Sequence, residues 1–303
     1  MKVYDCFTFY NEFELLELRL KSLWDMVDYF VLVEADKTQN NVPKPFLFAE
    51  RKEEFKEFLP KIRHIPLKVD VDYKGVGDWQ IEHGQRNSIV YGLTDAAPDD
   101  LIFISDVDEI PDPDILQRLR ENRAPLIGQC TVNSPAGGGI TVPAQILIPA
   151  MVLLDYTPIA LQQHLHIYYM DCFTQDNWRG TVITKFKNLT NANDLRLTGH
   201  LTFKIPIVYN AGHHFSWMGG IDRVVKKISS VVEGNVEVAF NEKLREEKRE
   251  QFIKAMRDGY FGDVNKPLFK IVKYDISQIN LPYLNEFVKK YPYFLRKYDF
   301  AED

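Results

Sequence analysis

The N-terminal part of the chain alternates between short apolar strands and amphipathic helices, and this alternation limits the possible folds more than any other feature. Residues 3–9 (VYDCFTF) and 29–36 (YFVLVEAD) have the composition of buried strands. Between them, residues 11–24 repeat apolar side chains at helical spacing. A strand, helix, strand unit predicts two parallel strands joined by a right-handed crossover.

The same alternation continues toward the middle of the chain. Residues 49–62 and 82–96 have helical patterns, residues 63–70 form a short strand candidate, and residues 101–105 (LIFIS) are a further buried strand. Residues 241–259 end the pattern with a long helix capped by glycine. We therefore expect an α/β fold with a mixed, mostly parallel sheet flanked by helices.

Composition excludes several classes of protein. The 303 residues, 45% of them hydrophobic, can bury a large single core. A net charge of -6 argues against a nucleic-acid partner. Three cysteines without C-x-x-C pairing, Cys6, Cys130 and Cys172, predict core packing in a reducing compartment. Since no signal peptide and no apolar window of about 18 residues is seen, we expect a soluble, cytoplasmic protein.

Three acids, Asp106, Asp108 and Glu109, follow the last of these strands directly. In open α/β sheets, ligands bind outside the carboxyl ends of the strands. Asp106 and Asp108 flank one residue, so their carboxylates converge if the chain turns, and Mg²⁺ or Mn²⁺ would relieve their repulsion while leaving positions for phosphate oxygens. Alternatively, Asp112 or Asp114 caps the next helix while the other acids face water.

Five blocks of the sequence, in a fixed order, resemble glycosyltransferase family 17. They are FTFYNEFELLELRLKSLWDMVDYFVLVEADKTQNNVPKPFLFAE, HGQRNSI, DVDEIP, WRGT and HHFSWMGG, and the later LPYLNEFVKKYPYF is also similar. The resemblance implies a GT-A-type fold, a UDP-sugar donor such as UDP-N-acetylglucosamine, and inversion at the anomeric carbon. Since no internal repeat or low-complexity linker is present, we expect one domain, with a nucleotide-binding half (1–125), an acceptor half (126–235) and a C-terminal helical segment (236–303).

The resemblance implies a metal site as well. Asp106 and Asp108 match the family's D-x-D acids, which would hold Mn²⁺ or Mg²⁺ against the donor diphosphate. His214, in the HHFSWMGG block, is a further candidate ligand. His213 stands where the family more often has tryptophan, which puts that stacking partner in doubt. Glu109 would orient the sugar or a ligand water, or it simply begins a helix.

Other residues are candidates for donor binding. Strand ends offer hydrogen bonds to a base and ribose, an arginine can bind a diphosphate bidentately, and aromatic faces can pack on a sugar ring. The ordinary alternatives are a helix cap, a surface ion pair and core packing. The candidate residues are Asn11, Glu12, Glu34, Gln85, Arg86, Asn87, Asp106, Trp178 and Trp217.

An inverting transfer needs a general base near the acceptor hydroxyl. Asp222, just after the HHFSWMGG block, Asp176, just before WRGT, and Glu109 are the candidates. Arg223 and Lys227 either face the donor phosphates or form the solvated face of a helix.

The expected activity is transfer of an N-acetylglucosamine-type sugar to a glycan or glycolipid hydroxyl. The acceptor would be a lipid-linked or capsular saccharide, with peripheral membrane association in the lipid-linked case. Two other classes remain open at this point. A metal-dependent nucleotidyltransferase or phosphohydrolase would also place D-x-D after a strand, and a non-catalytic relative would bind glycan without metal or nucleotide.

Overall fold

The computed structural model describes residues 1–133, 139–232, 234–263 and 266–300. The α-helices are α1 (Phe13–Leu23), α2 (Leu47–Arg51), α3 (Gln80–Asn87), α4 (Ile115–Arg120), α5 (Ala150–Leu153), α6 (Ala192–Leu201), α7 (Ile221–Lys227), α8 (Glu242–Asp258) and α9 (Leu284–Lys290). The strands are β1 (Val3–Phe9), β2 (Tyr29–Ala35), β3 (Ile62–Leu67), β4 (Leu101–Asp106), β5 (Glu109–Pro111), β6 (Leu126–Asn133), β7 (Gly139–Gln145), β8 (Ile159–Leu161), β9 (Gln163–Ile167), β10 (Cys172–Trp178), β11 (Val182–Lys185), β12 (Ile207–Val208), β13 (Gly212–Ser216), β14 (Tyr260–Asp263) and β15 (Lys266–Lys273).

The larger sheet has the order β3-β2-β1-β4-β11-β8-β12-β6-β7 in the described part of the chain. Strands β3, β2, β1 and β4 are parallel, with helix α1 crossing from β1 to β2. The antiparallel strand β11 then pairs with β4. The predicted α/β class, a mixed sheet flanked by helices with a GT-A-like arrangement, is confirmed, and the continuous parallel run occupies the first four strands.

A second sheet, β14-β15-β10-β9-β13-β5, was not predicted from the sequence. Its strands β9, β10 and β13 come from the middle of the chain, for which no strand was predicted. Strand β5, which begins with the third acid, Glu109, pairs with β13 so that Glu109 lies opposite His214. The C-terminal segment predicted to be helical also contains the hairpin of β14 and β15. This second sheet therefore brings distant segments to the end of β4.

Two predicted helices are shorter than their sequence patterns. The pattern over 49–62 contains α2 and a 3₁₀ turn, Lys52–Phe55, while the pattern over 82–96 contains the end of α3 and a 3₁₀ turn, Ser88–Gly92. Burial of aromatic side chains such as Phe48 and Phe55 outweighs helix propensity in the first case. The long helix α8 ends as predicted, with Gly259 in the left-handed conformation at φ +73°.

The main core lies between α1 and the parallel strands. Leu16 and Leu20 of α1 pack in one cluster with Phe7 of β1 and Phe30 of β2. Cys6 and Cys172 are buried free thiols, whereas the side chain of Cys130 lies outside the described residues. Across the described ranges, the helices are too short or too polar for a membrane crossing.

Candidate active site

The acidic segment, residues 106–109, leaves the carboxyl end of β4 beside the end of β1. The register places Thr8 of β1 next to Asp106 of β4, and the hydroxyl of Thr8 donates to Oδ1 of Asp106 at 2.8 Å. The amide of Asp106 donates to Oε2 of Glu109 at 2.9 Å. The turn predicted after the strand is thus closed by its own acid, and it lies at the sheet edge where α/β proteins bind ligands.

Arg19 of α1 supports this turn from inside the protein. Its guanidinium is fully buried and forms an ion pair with Asp5 of β1, with Nη2 2.5 Å from Oδ1. Nη1 donates to the carbonyl oxygens of Asp106 at 3.0 Å and Glu109 at 2.7 Å, and Nη2 donates to Ser105 at 2.6 Å. A buried guanidinium is stable only when its donors are used, so these bonds fix the backbone path of the acidic segment.

Two further arginines hold the carboxylate of Asp106. Nη2 of Arg86, on α3, lies 2.9 Å from Oδ1, and Nη2 of Arg196, on α6, lies 2.7 Å from Oδ2. Burial alone would raise the pKa of Asp106, but Arg196 and Arg86 hold it well below its ordinary value. Asp106 is therefore a carboxylate at neutral pH, with both oxygens engaged.

Glu109 is enclosed. Its Oε1 accepts from the indole of Trp178 at 2.5 Å and from Nη2 of Arg196 at 2.5 Å. Burial raises the pKa of Glu109, although Arg196 opposes that change. Gly180 makes the arrangement possible, because a Cβ at that position would lie 1.8 Å from Oε1 of Glu109. The WRGT block thus contributes the indole that reaches Glu109 and the glycine that leaves room for it.

Asp108 points toward a different pair of groups. Its Oδ1 lies 3.6 Å from Nε2 of His214, and its Oδ2 lies 3.6 Å from Nζ of Lys227. Burial would raise the pKa of Asp108, but His214 and Lys227 lower it. Both separations are longer than a direct hydrogen bond, so the carboxylate of Asp108 is held less tightly than that of Asp106. Of the groups around the acidic segment, Asp106 and Lys227 keep side chains 29% and 27% exposed.

The side chains around the acidic segment fit the expected Mn²⁺ or Mg²⁺ ion only in part. No group of three His, Cys, Asp or Glu side chains in the described residues is arranged to hold a metal ion. Asp108 and His214 nevertheless offer a carboxylate and an imidazole side by side. Magnesium sites commonly use one or two protein carboxylates and complete the shell with substrate phosphates and water. Asp108 supplies such a carboxylate, and the imidazole of His214 suits a transition metal such as Mn²⁺ better than Mg²⁺. Asp106 would have to release a guanidinium to join them.

Glu12 approaches the same region from the start of α1. Its Oε2 accepts from the backbone amides of Tyr10 at 3.1 Å and Asn11 at 3.0 Å, which stabilises the turn after β1. Burial raises the pKa of Glu12, Lys227 opposes that change and Asp108 adds to it. The charge of Lys227 thus acts on two acids of the site, Glu12 and Asp108. The side chain of the neighbouring Asn11 is half-buried.

Three residues predicted to bind the donor connect elements around the site. Glu34 is fully buried and accepts from Lys44 Nζ and from the amide of Phe48. Gln85 joins the ends of β1 and β2 by donating to the carbonyls of Phe9 and Val33. Asn87 accepts from the amide of Asn193 at 2.9 Å and so connects α3 to α6. Their side chains thus hold together the elements around the site, and their part in donor binding stays a prediction.

Other candidates lie apart from the acidic segment. Asp222 has a side chain 86% exposed and forms an ion pair with Arg249. Asp176 is exposed on β10, two residues before Trp178. Arg223 forms its ion pair with Glu14 of α1 and not with the acidic segment.

Trp217 and His213 adjoin the site without touching the acidic carboxylates. Trp217 has a left-handed backbone at φ +59°, and its ring packs near Phe261 and under Lys227. His213 is buried, and its Nδ1 lies 2.9 Å from Nε2 of His166. Burial lowers the pKa of His213 to about 3, so this imidazole is neutral and belongs to the core between β9 and β13.

The sequence analysis missed Arg19 and Arg196. Arg19 had a detectable signal, because it lies within the apolar stripe of α1, where a charge needs a buried partner such as Asp5. The signal for Arg196 was weaker and indirect, because α6 was not recognised as a helix. Its N-cap, Asn191, accepts from the amide of Asp194, and that capping pattern was the available clue.

Comparisons with known proteins agree with the resemblance in the N-terminal part of the chain. Residues 1–126 match the family model of glycosyltransferase family 17. The beta-1,4-mannosyl-glycoprotein 4-beta-N-acetylglucosaminyltransferases of Homo sapiens and Rattus norvegicus are each 33% identical over 114 residues, and that of Mus musculus is 32% identical over the same length. Each alignment covers 33% of this chain and 20% of the relative, so the chain spans about a fifth of the curated relatives' length. These similarities concern the N-terminal part of the chain, which carries strands β1 to β4 and the acidic segment.

Proposed function

We propose that this protein transfers a sugar, N-acetylglucosamine by analogy with its relatives, from a UDP-sugar to a saccharide hydroxyl with inversion. One observation carries the proposal. The acidic segment lies at the carboxyl edge of the parallel strands, surrounded by buried arginines, and it belongs to the part of the chain that matches glycosyltransferase family 17. Sugar transfer requires that the leaving nucleoside diphosphate be stabilised at a fixed place, and this edge supplies the charged groups.

The two aspartates have different roles in this proposal. Asp106 is neutralised by Arg86 and Arg196 and keeps those guanidinium groups in place. Asp108 has no cation closer than 3.6 Å among the described residues and faces His214 and Lys227. We assign Asp108 and His214 to an Mn²⁺ or Mg²⁺ ion, which when bound would neutralise the donor diphosphate. Lys227, partly exposed beside them, adds a positive charge for the same phosphates.

The general base remains to be assigned by kinetics, with Asp222, Asp176 and Glu109 as the proposed candidates. Loss of the base should lower kcat while leaving the affinity for the donor unchanged. Glu109 differs from the other two, because its replacement also disturbs Trp178 and Arg196 and should weaken donor binding. We also propose that the protein acts in the cytoplasm on a lipid-linked or capsular saccharide.

Calorimetric titration tests the donor site. UDP-N-acetylglucosamine is titrated into the protein with and without Mn²⁺, and UDP-galactose, UDP-glucose and GDP-mannose serve as competitors. We expect metal-dependent binding of one UDP-sugar, and a loss of affinity of about tenfold or more in Asp108→Asn. Asp155→Asn, which alters an acid paired with Lys185 and Lys187, is the matched control and should bind like the wild type.

Absence of binding by every nucleotide sugar under all metal conditions would contradict the proposal. Consumption of a nucleoside triphosphate or a phosphoester without sugar transfer would replace it with nucleotidyl transfer or hydrolysis. Glycan binding that requires neither metal nor nucleotide would indicate a non-catalytic relative.

A further inference from the structure

Helix α6 directs one face of its surface at the acidic segment. Asn193, Arg196 and His200 follow one another at spacings of three and four residues and therefore share that face. Asn193 Oδ1 accepts from Nη1 of Arg86 at 2.8 Å. The ring of His200 lies 4.2 Å from that of Trp178. Each of these side chains contacts a residue that itself contacts Asp106 or Glu109.

Arg196 makes the central contacts of this face. It is 5% exposed, and its Nη2 lies 2.7 Å from Oδ2 of Asp106 and 2.5 Å from Oε1 of Glu109. One nitrogen thus bridges the half-buried Asp106 and the fully buried Glu109, two acids that would otherwise repel each other. Among the described residues, Arg196 is the cation that forms a salt bridge with Glu109.

The approach of α6 to the sheet is also specific. Gly199 lies so close to β11 and β8 that a Cβ would be 2.5 Å from Cγ2 of Val182 and 3.3 Å from the Cβ of Ala160. A glycine here permits close packing of the helix on the strands, at a cost in helix propensity. That close approach is what allows Arg196 to reach between the two acids.

We infer that Arg196 is a positioning residue of the donor site and that α6, which lies beyond the family-matched residues 1–126, completes this site. This inference rests on the proposed function, because it takes the acidic segment as the place where the sugar donor binds. It holds that Arg196 orients Asp106 and Glu109, and through Glu109 the indole of Trp178, without itself touching the reacting atoms.

The test compares Arg196→Ala and Arg196→Lys with Arg179→Ala as the matched control. Arg179, which lies between β10 and β11, donates to the carbonyl of Thr202 just after α6 and packs on Phe203, so its removal takes a guanidinium contact from the end of that helix without touching the acids. We expect UDP-N-acetylglucosamine affinity to fall about tenfold or more in Arg196→Ala. Guanidinium ion, at concentrations well below those that unfold the protein, should restore part of that affinity in Arg196→Ala and none in the control.

A second readout does not depend on the donor. The protein has four tryptophans, and ¹⁵N labelling of their indoles gives a resonance for Trp178 that Trp178→Phe identifies. In the wild type this N–H is held by Glu109, so Arg196→Ala and, to a lesser degree, Arg196→Lys should shift it and speed its exchange with solvent. Arg179→Ala, next to Trp178 in the chain, should shift the resonance only slightly and should not speed its exchange, because the bond to Glu109 does not involve Arg179. The measurement applies to Arg196→Lys even if Arg196→Ala does not fold.

The two proposals can fail separately. If the wild type binds UDP-sugar and Arg196→Ala behaves like Arg179→Ala in affinity, rescue and the Trp178 resonance, the positioning role is wrong. If no variant and no wild type binds nucleotide sugar, the proposed function is wrong, and the Trp178 resonance alone decides whether Arg196 positions the acids.

Discussion

At the scale of single residues, the acidic segment depends on groups that lie behind it. Arg19 gives hydrogen bonds to the carbonyls of Asp106, Val107 and Glu109 while it neutralises Asp5. These contacts hold the backbone and leave the carboxylates free for other partners. A buried pair of this kind is costly to break from one side, because the remaining charge stays without compensation.

Arg19→Met should therefore destabilise the protein by about 3–5 kcal/mol. The double variant Asp5→Asn, Arg19→Met should regain part of that loss, since no uncompensated charge remains, but it should still bind the donor weakly because the carbonyls of the acidic segment have lost their donors. Urea unfolding and calorimetric titration of the three proteins measure both effects. Equal stability of the single and double variants would show that the charge of Asp5 is not what the arginine compensates.

Gly180 supports a second prediction at this scale. An added methyl group would overlap Oε1 of Glu109 and approach Nε1 of Trp178 to 2.3 Å. Gly180→Ala should lower the free energy of unfolding by about 1–3 kcal/mol and weaken donor binding. Gly84→Ala is the control, because nothing lies within 4 Å of its Cβ on α3 and the alanine should stabilise the helix slightly. A Gly180→Ala protein with wild-type stability and affinity would mean that Glu109 can move without consequence.

At the scale of elements, helices are connected to one another by buried and half-buried polar groups. Glu17 of α1 receives hydrogen bonds from Lys290 at 2.8 Å, Tyr291 at 2.6 Å and Tyr283 at 3.0 Å, and it pairs with Lys21. Burial by itself would raise the pKa of Glu17, but these donors lower it to about 2. Helix α9 is thereby fastened to the helix that carries Arg19.

This depressed pKa predicts a pH dependence of stability. The unfolded carboxyl binds its proton near pH 4.5 and the folded one near pH 2, so the contribution of Glu17 is complete above pH 4.5 and is lost as the pH falls toward 2. Glu17→Gln should lower the free energy of unfolding at pH 7 by about 2–3 kcal/mol, and the loss should shrink toward pH 2.

Urea unfolding between pH 7 and pH 2 measures this dependence. Glu54→Gln is the control, since Glu54 pairs with Arg51 at the surface, where an ion pair contributes little. A constant difference between Glu17→Gln and the wild type at every pH would contradict the assignment, because it would mean that the loss does not come from the ionised carboxylate.

At the scale of the whole molecule, the segment that matches the family is not a separate structural unit. Strand β4 lies between β1 and β11, and β11 comes from residues 182–185. The acidic segment also needs Arg196, His214 and Lys227 from the second half of the chain. Without β11 and the residues that follow it, β4 would be an exposed edge strand, and apolar residues such as Ile102 and Ile104 would lose their cover.

A fragment of residues 1–126 should therefore fail to fold cooperatively. We expect aggregation, or a broad urea transition of its circular dichroism signal, whereas the full chain should unfold in a sharp one. The full chain carrying Lys187→Ala, which loses the exposed ion pair with Asp99 across the two parts, controls for a simple loss of contacts between them. A soluble monomeric fragment with a sharp transition would show that the N-terminal part is an independent domain.

The sequence by itself determined the alternation of strands and helices, the parallel run of β3, β2, β1 and β4, and the position of the three acids after a buried strand. These features arise from local periodicity and from strand ends, which can be read without knowing long-range contacts. The cap of α8 at Gly259 was predicted for the same reason.

Only the tertiary structure decided which partner each acid has. Arg196 lies 87 residues from Glu109 along the chain, and His214 reaches Glu109 through the pairing of β13 with β5. The tertiary structure also gives the two aspartates different surroundings, although they look equivalent in the sequence. Asp106 is held by two arginines, whereas Asp108 faces His214 and Lys227. The reason is physical: the ionisation and orientation of a buried carboxylate depend on the cations and donors within a few ångströms, and those come from segments that local patterns do not connect.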